Sequence, residues 1–139
     1  MIKVLYEDNH LLVVEKPVNI LSQGDNTSDD DMVNLLKKYL KEKYNKPGNV
    51  FVGLVHRLDR PVGGCMVFAK TSKAASRLSE QVRNKSFKKT YRAVIHGKMN
   101  KQEDNLMDYL YKNKKTNMVS VVSKNTKDAK DARLSYETL

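Results

Sequence analysis

The sequence predicts an α+β fold in which helices cover a mostly antiparallel sheet. Its 139 residues, of which 40% are hydrophobic and 30% charged, are enough for one globular domain with a single core. Short apolar runs bounded by Gly, Pro, Asn and Asp recur along the chain and are typical of strands. Two longer segments space their apolar residues three or four apart, which is typical of amphipathic helices.

The chain is predicted to begin with two short strands, at residues 2–7 and 10–15. Both are apolar runs, and Asp8 lies in the turn between them. A polar loop follows that ends in three consecutive aspartates. Either Ser28 or Asp29 is expected to cap the helix that begins there, because short polar side chains accept hydrogen bonds from the first free N–H groups of a helix.

The first helix is predicted from an apolar stripe with lysines on the opposite face. The stripe comprises Val33, Leu36, Leu40 and Tyr44. The lysines are Lys37, Lys38, Lys41 and Lys43. We expect the stripe to pack in the core and Pro47-Gly48 to end the helix, since proline cannot continue it.

Strands are then predicted at residues 51–55 and Gly64–Ala69, on either side of a charged loop. Thr71 or Ser72 is expected to cap a second helix that runs to about Asn84. The core face of that helix is predicted to consist of Ala75, Leu78 and Val82. The later strands are predicted at residues 88–96, 106–111, 118–123 and 132–139.

Composition excludes several classes of protein. The single cysteine, Cys65, cannot form an internal disulfide and fits a reducing compartment. Three scattered histidines and that cysteine provide no metal-ligand spacing. No apolar run is long enough to span a membrane, and the first residues carry no signal-peptide pattern. We therefore expect a cytoplasmic protein that binds no metal.

The basic residues are concentrated in one segment. The formal net charge is +10, and the segment from Lys70 to Lys101 contains ten basic residues against one acid, Glu80. An ordinary solvated lysine-rich surface would give the same pattern. Such a concentration is also typical of proteins that bind a polyanion, and nucleic acid is the natural candidate.

The most informative residues are in the loop over residues 55–64, where Asp59 lies between Arg57 and Arg60. A carboxylate on the connection between two buried strands is held rigidly and can face a cleft, which suits a catalytic group. The two guanidiniums would favour its ionised form and can bind phosphate. A purely structural role, in which Asp59 closes a turn before a proline, fits the charge pattern equally well.

The segment His-Arg-Leu-Asp at residues 56–59 resembles the signature of the RluA family of pseudouridine synthases. Three further segments resemble blocks of that family in the same order. They are residues 6–17, which end in Lys-Pro, residues 64–73 and residues 88–97. Four ordered blocks across most of the chain make this resemblance specific.

The resemblance implies a mixed, bent catalytic sheet with the active site in a cleft along it. It implies isomerisation of uridine to pseudouridine in ribosomal or transfer RNA, without a cofactor. Asp59 is then the catalytic carboxylate, and it acts either as a nucleophile on C1′ or as a base that removes the 2′ proton. Tyr91 corresponds to the tyrosine that stacks on the uracil, although core packing explains a strand tyrosine as well.

The resemblance also suggests residues that contact RNA. Arg57 corresponds to the arginine associated with filling the gap left by the flipped base, with a structural ion pair to Asp59 as the alternative. His56 is expected to stack or hydrogen-bond beside the loop. The remaining candidates are basic side chains placed to contact phosphates. They are Arg60, Lys70, Lys73 and Arg77.

The chain departs from the family pattern in two places. Residues 60–64 read Arg-Pro-Val-Gly-Gly, where many relatives have Arg-Asp-Thr-Ser-Gly. Residues 132–139 resemble the strand that precedes the family's Thr-Gly-Arg-x-His-Gln-Ile-Arg block, and the sequence stops there. The resemblance therefore implies the N-terminal portion of a catalytic domain over residues 1–139, with no S4 domain before it.

Three functions follow from these observations. The first is an RNA uridine isomerase, or the N-terminal portion of one. The second is an RNA-binding fragment of such an enzyme with weak or no catalysis. The third, a hydrolase with an aspartate nucleophile acting on a small phosphorylated substrate, is disfavoured because the sequence has no Gly-rich phosphate cradle and no metal-binding set of carboxylates.

Overall fold

The chain divides into two units, Met1–Thr90 and Tyr91–Leu139. Alternating hydrophobic residues along neighbouring strands organise the first unit. The computed structural model describes residues 2–24 and 29–139. The elements of the first unit are β1 (Lys3–Glu7), β2 (Leu11–Lys16), α1 (Met32–Lys43), β3 (Gly53–Leu54), β4 (Gly64–Ala69) and α2 (Ser72–Arg83).

The four strands of this unit form one antiparallel sheet in the order β1-β2-β4-β3. Leu12 pairs with Phe68 and Val14 pairs with Met66, and all four side chains are fully buried. The stripe predicted for the first helix supplies the other half of this core. Leu36 and Leu40 of that stripe are fully buried, Val33 is partly buried, and Met32 at the start of the helix joins them. The prediction is wrong for Tyr44, which is 46% exposed because it follows the last residue of the helix. Apolar side chains at period two in the strands and near period four in the helix therefore meet in one cluster.

Helix α1 is capped by a different residue from those predicted. The Asp31 carboxylate accepts a hydrogen bond from the Asn34 N–H at 3.1 Å, so it occupies the N-cap. Ser28 lies outside the described residues, and the Asp29 side chain pairs with an arginine instead. The helix ends at Lys43, before Pro47-Gly48, because the chain already turns into a left-handed conformation at Asn45 (φ 47°).

Helix α2 confirms the predicted cap and end, but its one buried residue is Ala74, whereas the predicted core residues Ala75, Leu78 and Val82 are only partly buried. The Thr71 hydroxyl accepts a hydrogen bond from the Ala74 N–H at 3.2 Å, and the helix ends at Arg83. Ala75 packs over Gly53 of β3 so closely that a Cβ on this glycine would lie 2.9 Å from the alanine Cβ. The small residues at these two positions therefore set how closely α2 approaches the sheet.

The second unit contains three antiparallel strands, in agreement with the prediction. They are β5 (Glu103–Lys112), β6 (Val119–Val122) and β7 (Lys130–Glu137), and they form a sheet in the order β6-β5-β7. The strand predicted at residues 88–96 is wrong. No strand among the described residues pairs with this segment, and its apolar side chains Val94 and Ile95 are exposed. A β-type sequence forms a strand only where a partner receives its hydrogen bonds.

The α+β class is confirmed, since antiparallel sheets are combined with two helices in the described residues. The one parallel pairing in the described part of the chain is an isolated bridge between Leu21 and Asp31. Neither helix among these residues has the length and apolar character that crossing a membrane would require.

Candidate active site

The connection between β3 and β4 presents Asp59 at an exposed turn. The Val62 N–H donates to the Asp59 carbonyl oxygen at 3.0 Å and closes this turn. The carboxylate itself is exposed and has no hydrogen-bond or ion-pair partner within residues 2–24 and 29–139. It is therefore not occupied by a structural contact and is available to a bound molecule.

Two glycines allow this loop to continue into β4, each for a different reason. Gly64 has a φ of +146°, a conformation that side chains disfavour. A Cβ on Gly63 would lie 3.2 Å from the carbonyl oxygen of Lys16, so the two backbone segments approach closely. A side chain at either position would therefore disturb the join between the loop and the sheet.

Lys16 is fully buried at the base of the loop. Its ammonium donates to the carbonyl oxygens of Pro17 at 3.0 Å, Ile20 at 2.6 Å and Arg60 at 3.2 Å. These three acceptors use all three of its protons. Burial lowers the pKa of Lys16, and attraction to the Asp59 carboxylate acts in the opposite direction. A buried cation, held by backbone oxygens, therefore lies close enough to the Asp59 turn for the two charges to interact.

The alternation that builds the core also buries this lysine. Leu12, Val14 and Lys16 all have buried side chains at alternate positions of β2, and Lys16 lies opposite Gly64 in the sheet. Sequence reasoning noted the Lys-Pro pair only as part of the family resemblance. The signal was nevertheless present, because a lysine at the third inward position of an apolar strand must find buried acceptors.

Ser22 fixes the residue that precedes Asp59. Its buried hydroxyl donates to the Leu58 carbonyl oxygen at 2.6 Å and accepts from the Leu58 N–H at 3.1 Å. A hydroxyl has one proton and two lone pairs, so it forms both bonds at once. Sequence reasoning missed Ser22, since a serine in a polar loop carries no signal of a partner 36 residues away.

His56 is packed inside the loop. Its Nε2 accepts a hydrogen bond from the Val67 N–H at 3.1 Å, which places the proton of the neutral ring on Nδ1. Nδ1 is buried without a hydrogen-bond partner within the described residues, and the ring lies 5.5 Å from that of Phe87. Burial lowers the pKa of His56, and the charge of Lys89 lowers it further. The side chain thus supports β4 as a neutral group, and its RNA contact stays a prediction.

The two arginines beside Asp59 are directed elsewhere. Arg57 Nη2 donates to Gln23 Oε1 at 2.9 Å, and Arg60 Nη1 pairs with Asp29 Oδ2 at 2.7 Å. The structure therefore does not form the Arg57–Asp59 ion pair that was the structural alternative. Both guanidiniums are exposed, so they can exchange these partners for phosphate oxygens.

Glu7 is the centre of a buried charge cluster in the first unit. Its carboxylate accepts from Lys43 Nζ at 2.8 Å, Lys70 Nζ at 2.7 Å, Tyr39 OH at 2.9 Å and Tyr44 OH at 2.6 Å. Burial acts to raise the pKa of Glu7, but these four donors outweigh it and lower the pKa to about 2. The cluster joins β1 to helix α1 and to the residue that follows β4.

This cluster changes the interpretation of Lys70. Its side chain is 10% exposed, and its ammonium already contacts Glu7 and the Asp8 carbonyl oxygen, so its placement favours a structural role. Lys73 and Arg77 are different. Both are exposed on α2, one turn apart, and neither forms an ion pair within the described residues. They therefore remain the better candidates for phosphate contacts.

Tyr91 is the first residue of the second unit, and its side chain is 59% exposed. The segment around it is not the strand that the sequence predicted. That exposure argues against core packing, which was the structural alternative for this tyrosine. Its part in catalysis stays a prediction.

The first unit thus presents the Asp59 carboxylate, which has no partner among the described residues, on a turn that Lys16 and Ser22 hold in place. A carboxylate in this setting can act as a nucleophile or as a general base. No group of three or more His, Cys, Asp and Glu side chains suited to a metal ion occurs within residues 2–24 and 29–139.

Comparison with known sequences identifies the family of the chain. The sequence pattern of the RNA pseudouridylate synthase family matches residues 10–139. Ribosomal large subunit pseudouridine synthase C of Buchnera aphidicola is 34% identical over 116 residues, which cover 81% of this chain and 35% of that protein. tRNA pseudouridine synthase C of Vibrio cholerae is 30% identical over 139 residues, which cover 100% of this chain and 54% of that protein.

A solved structure shares the fold. Human RNA Pseudouridylate Synthase Domain Containing 4 superimposes with a TM-score of 0.71 at 18% identity, over 97% of this chain and 52% of that one. The chain spans about a third to a half of the length of these relatives. The resemblance inferred from the four sequence blocks is confirmed, and the chain belongs to the RNA pseudouridylate synthase family.

Proposed function

We propose that this chain takes part in the isomerisation of uridine to pseudouridine in structured RNA, with Asp59 as the catalytic carboxylate. The observation that carries this proposal is the unpartnered, exposed carboxylate of Asp59 on a turn that Lys16 and Ser22 hold in place. A catalytic group must be fixed by its neighbours without being neutralised by them. Family membership supplies the reaction.

The reaction breaks the C1′–N1 bond of uridine, turns the uracil and forms a C1′–C5 bond. The proton on C5 is then lost to solvent and N1 gains a proton from solvent, so atoms and charge balance without an added reactant. Asp59 assists cleavage either by attacking C1′ or by removing the 2′ proton. Both roles need an ionised carboxylate, and the buried ammonium of Lys16 supplies a nearby positive charge.

The other residues have supporting roles in this proposal. The target uridine leaves the RNA stack to reach Asp59, and Arg57 occupies the vacated space. Tyr91 stacks on the uracil and places its hydroxyl for the proton transfer at C5. Lys73 and Arg77 contact phosphates with their exposed charges.

The substrate class follows from the relatives, one of which is named for ribosomal RNA of the large subunit and another for tRNA. We propose ribosomal or transfer RNA as the partner and no cofactor for the reaction. Since the chain covers 35% and 54% of those two proteins, we propose that it forms the N-terminal portion of the catalytic domain.

Tritium release from RNA labelled at uridine C5 tests the function, with Asp59→Asn as the decisive variant. We expect release from the unaltered protein and none above background from the variant, because bond formation at C5 must expel that hydrogen. Asp108→Asn, an exposed carboxylate of β5, is the matched control and should keep full release. Equal release from the unaltered protein and from Asp59→Asn would contradict the proposal.

A second candidate, an RNA-binding fragment without catalysis, is favoured by the share of the relatives that the chain covers. It predicts no tritium release from any form of the chain, together with RNA binding that weakens steeply as salt is added. Asp59→Asn would leave that binding unchanged. Affinity that is indifferent to salt would contradict both candidates.

A further inference from the structure

Two adjoining hollows border helix α1, and Lys37 lines both of them. Their volumes are about 550 and about 410 Å³. Each falls within the range of ligand-binding sites in proteins. None of the roles given above to Asp59 or to the residues of α2 uses this surface.

The first hollow begins beside the catalytic loop. Arg57, two residues before Asp59, lines it together with Lys37 and Gln23. Its apolar lining comes from one residue of α1 and three residues at or beside β3. These are Val33, Val52, Leu54 and Val55. An apolar wall with cations on its rim fits a nucleotide, whose base is flat and largely apolar and whose phosphate is an anion.

The second hollow continues the first along the helix. Val33, Lys37 and Lys41 follow one another at four-residue intervals and therefore form one ridge of α1. Lys37 and Lys41 line the second hollow, which extends to Gly48 and Asn49. Four residues of helix span about 6 Å, which is comparable with the separation of successive phosphates along an extended strand.

The charge of this surface has one sign. Lys37 and Lys41 are exposed, and neither ammonium forms a hydrogen bond or an ion pair with another described residue. No acidic side chain of the described residues lines either hollow. Lys43, by contrast, is neutralised in the Glu7 cluster, so the available cations of the helix lie on the side that borders the hollows.

We propose that this groove, defined by Arg57, Lys37 and Lys41, binds the single-stranded RNA that flanks the target uridine. The proposal rests on the function proposed above. Lys37 holds the phosphate of a neighbouring nucleotide while its base lies against the valines, and Lys41 holds the next phosphate. Arg57, at the start of the groove, occupies the space that the target uridine leaves. The sequence alone placed these lysines on a solvated helix face and directed attention to the basic segment after Lys70.

Fluorescence anisotropy with a labelled ten-nucleotide oligouridine tests the groove. The test variant is Lys37→Gln/Lys41→Gln, whose substitutions remove charge while keeping helix propensity. We expect its affinity to fall about tenfold and the slope of log affinity against log salt to decrease by about 1.4, since each lost phosphate contact on a single strand removes about 0.7.

Lys46→Gln is the matched control, because Lys46 follows the same helix but lines neither hollow and holds its ammonium 5.5 Å from the Tyr44 ring centroid. It should bind like the unaltered chain. Unchanged binding by Lys37→Gln/Lys41→Gln, with weakened binding by Lys73→Gln/Arg77→Gln, would overturn the groove and leave the proposed function intact. Equal losses in the test and control variants would also overturn it. Failure of the unaltered chain to bind oligouridine would also overturn the groove, while tritium release from structured RNA would still decide the proposed function.

Discussion

Ser22 and Leu58 are joined by two hydrogen bonds through a single oxygen atom. The Ser22 hydroxyl donates to the Leu58 carbonyl oxygen at 2.6 Å and accepts from the Leu58 N–H at 3.1 Å. The two residues are 36 positions apart, so this contact closes the loop after β2 onto the residue that precedes Asp59. Both backbone groups of Leu58 depend on one side chain.

Substitution Ser22→Ala should therefore lower the free energy of unfolding by about 2 kcal/mol, because a partly buried N–H and a partly buried carbonyl lose their partner together. Urea unfolding measures this loss. Ser76→Ala, on the exposed side of α2, is the control and should change the free energy by less than about 0.5 kcal/mol. Equal effects of the two substitutions would show that the two hydrogen bonds between Ser22 and Leu58 contribute nothing to the free energy of unfolding.

Lys16→Met should be more damaging than Ser22→Ala. Methionine matches the length of the lysine stem but leaves the carbonyl oxygens of Pro17, Ile20 and Arg60 without their donor. We expect a loss of about 3 kcal/mol in the free energy of unfolding, measured by chemical denaturation. Lys38→Met, at an exposed position of α1, is the control and should unfold like the unaltered protein. A stable Lys16→Met variant would mean that water replaces the ammonium at these three oxygens.

The Glu7 cluster predicts a loss of stability in acid. The pKa of Glu7 is about 2 in the folded protein, below its ordinary value of 4.5. A depressed carboxyl pKa stabilises the fold above pH 4.5, and this contribution disappears as the pH falls from 4.5 towards 2. Glu7→Gln should therefore cost about 2–3 kcal/mol at neutral pH and should flatten the pH dependence of unfolding over that interval.

Glu15→Gln is the control for that experiment, because Glu15 pairs with Lys3 on the surface, where both side chains are largely exposed. It should change stability by less than about 1 kcal/mol and should keep the acid transition of the unaltered protein. Persistence of the full pH dependence in Glu7→Gln would contradict the assignment to Glu7.

The neutral state of His56 is open to direct measurement. Burial and the charge of Lys89 lower its pKa, so the imidazole should titrate below its ordinary value of 6.5. Since the fold favours the neutral ring, its contribution to stability is complete above pH 6.5 and decreases as the pH falls through the folded pKa. Nitrogen-15 NMR should show the proton on Nδ1. A neutral ring protonated on Nε2 would contradict the hydrogen bond from Val67. A His56 pKa above 6.5 would contradict the effect of burial and of Lys89.

Local chemistry explains which parts of this fold were predictable from sequence. The Thr71 cap, the strand Gly64–Ala69 and the stripe through Leu36 and Leu40 each follow from residue spacing within a few turns. Residues 88–96 have an equally good strand pattern, but a strand also needs a neighbour. Whether one is present depends on residues far away in the chain, so periodicity alone gave the wrong answer there.

The candidate site divides in the same way. Asp59 is recognisable from the motif around it, and the structure leaves its carboxylate unpartnered in the described residues. The supports of its loop were not recognised. Ser22 contacts Leu58 only after the chain has folded back on itself, and the acceptors of Lys16 are backbone oxygens that leave no trace in residue identity. The alternation of β2 indicates that Lys16 is buried, but which backbone groups it contacts, like the partner of Ser22, carries no pattern that a single sequence reveals.

The order of the strands determines which part of the first unit opens last. β2 and β4 are the inner strands of the sheet and are paired on both sides, whereas β1 and β3 are edges. Amide hydrogens of the inner pair should therefore exchange most slowly with solvent, and those of α2 and β1 sooner. The loop of Asp59 is attached to this inner pair through Lys16 and through His56 at Val67. Fluctuations that detach an edge strand or a helix end thus leave the carboxylate in position.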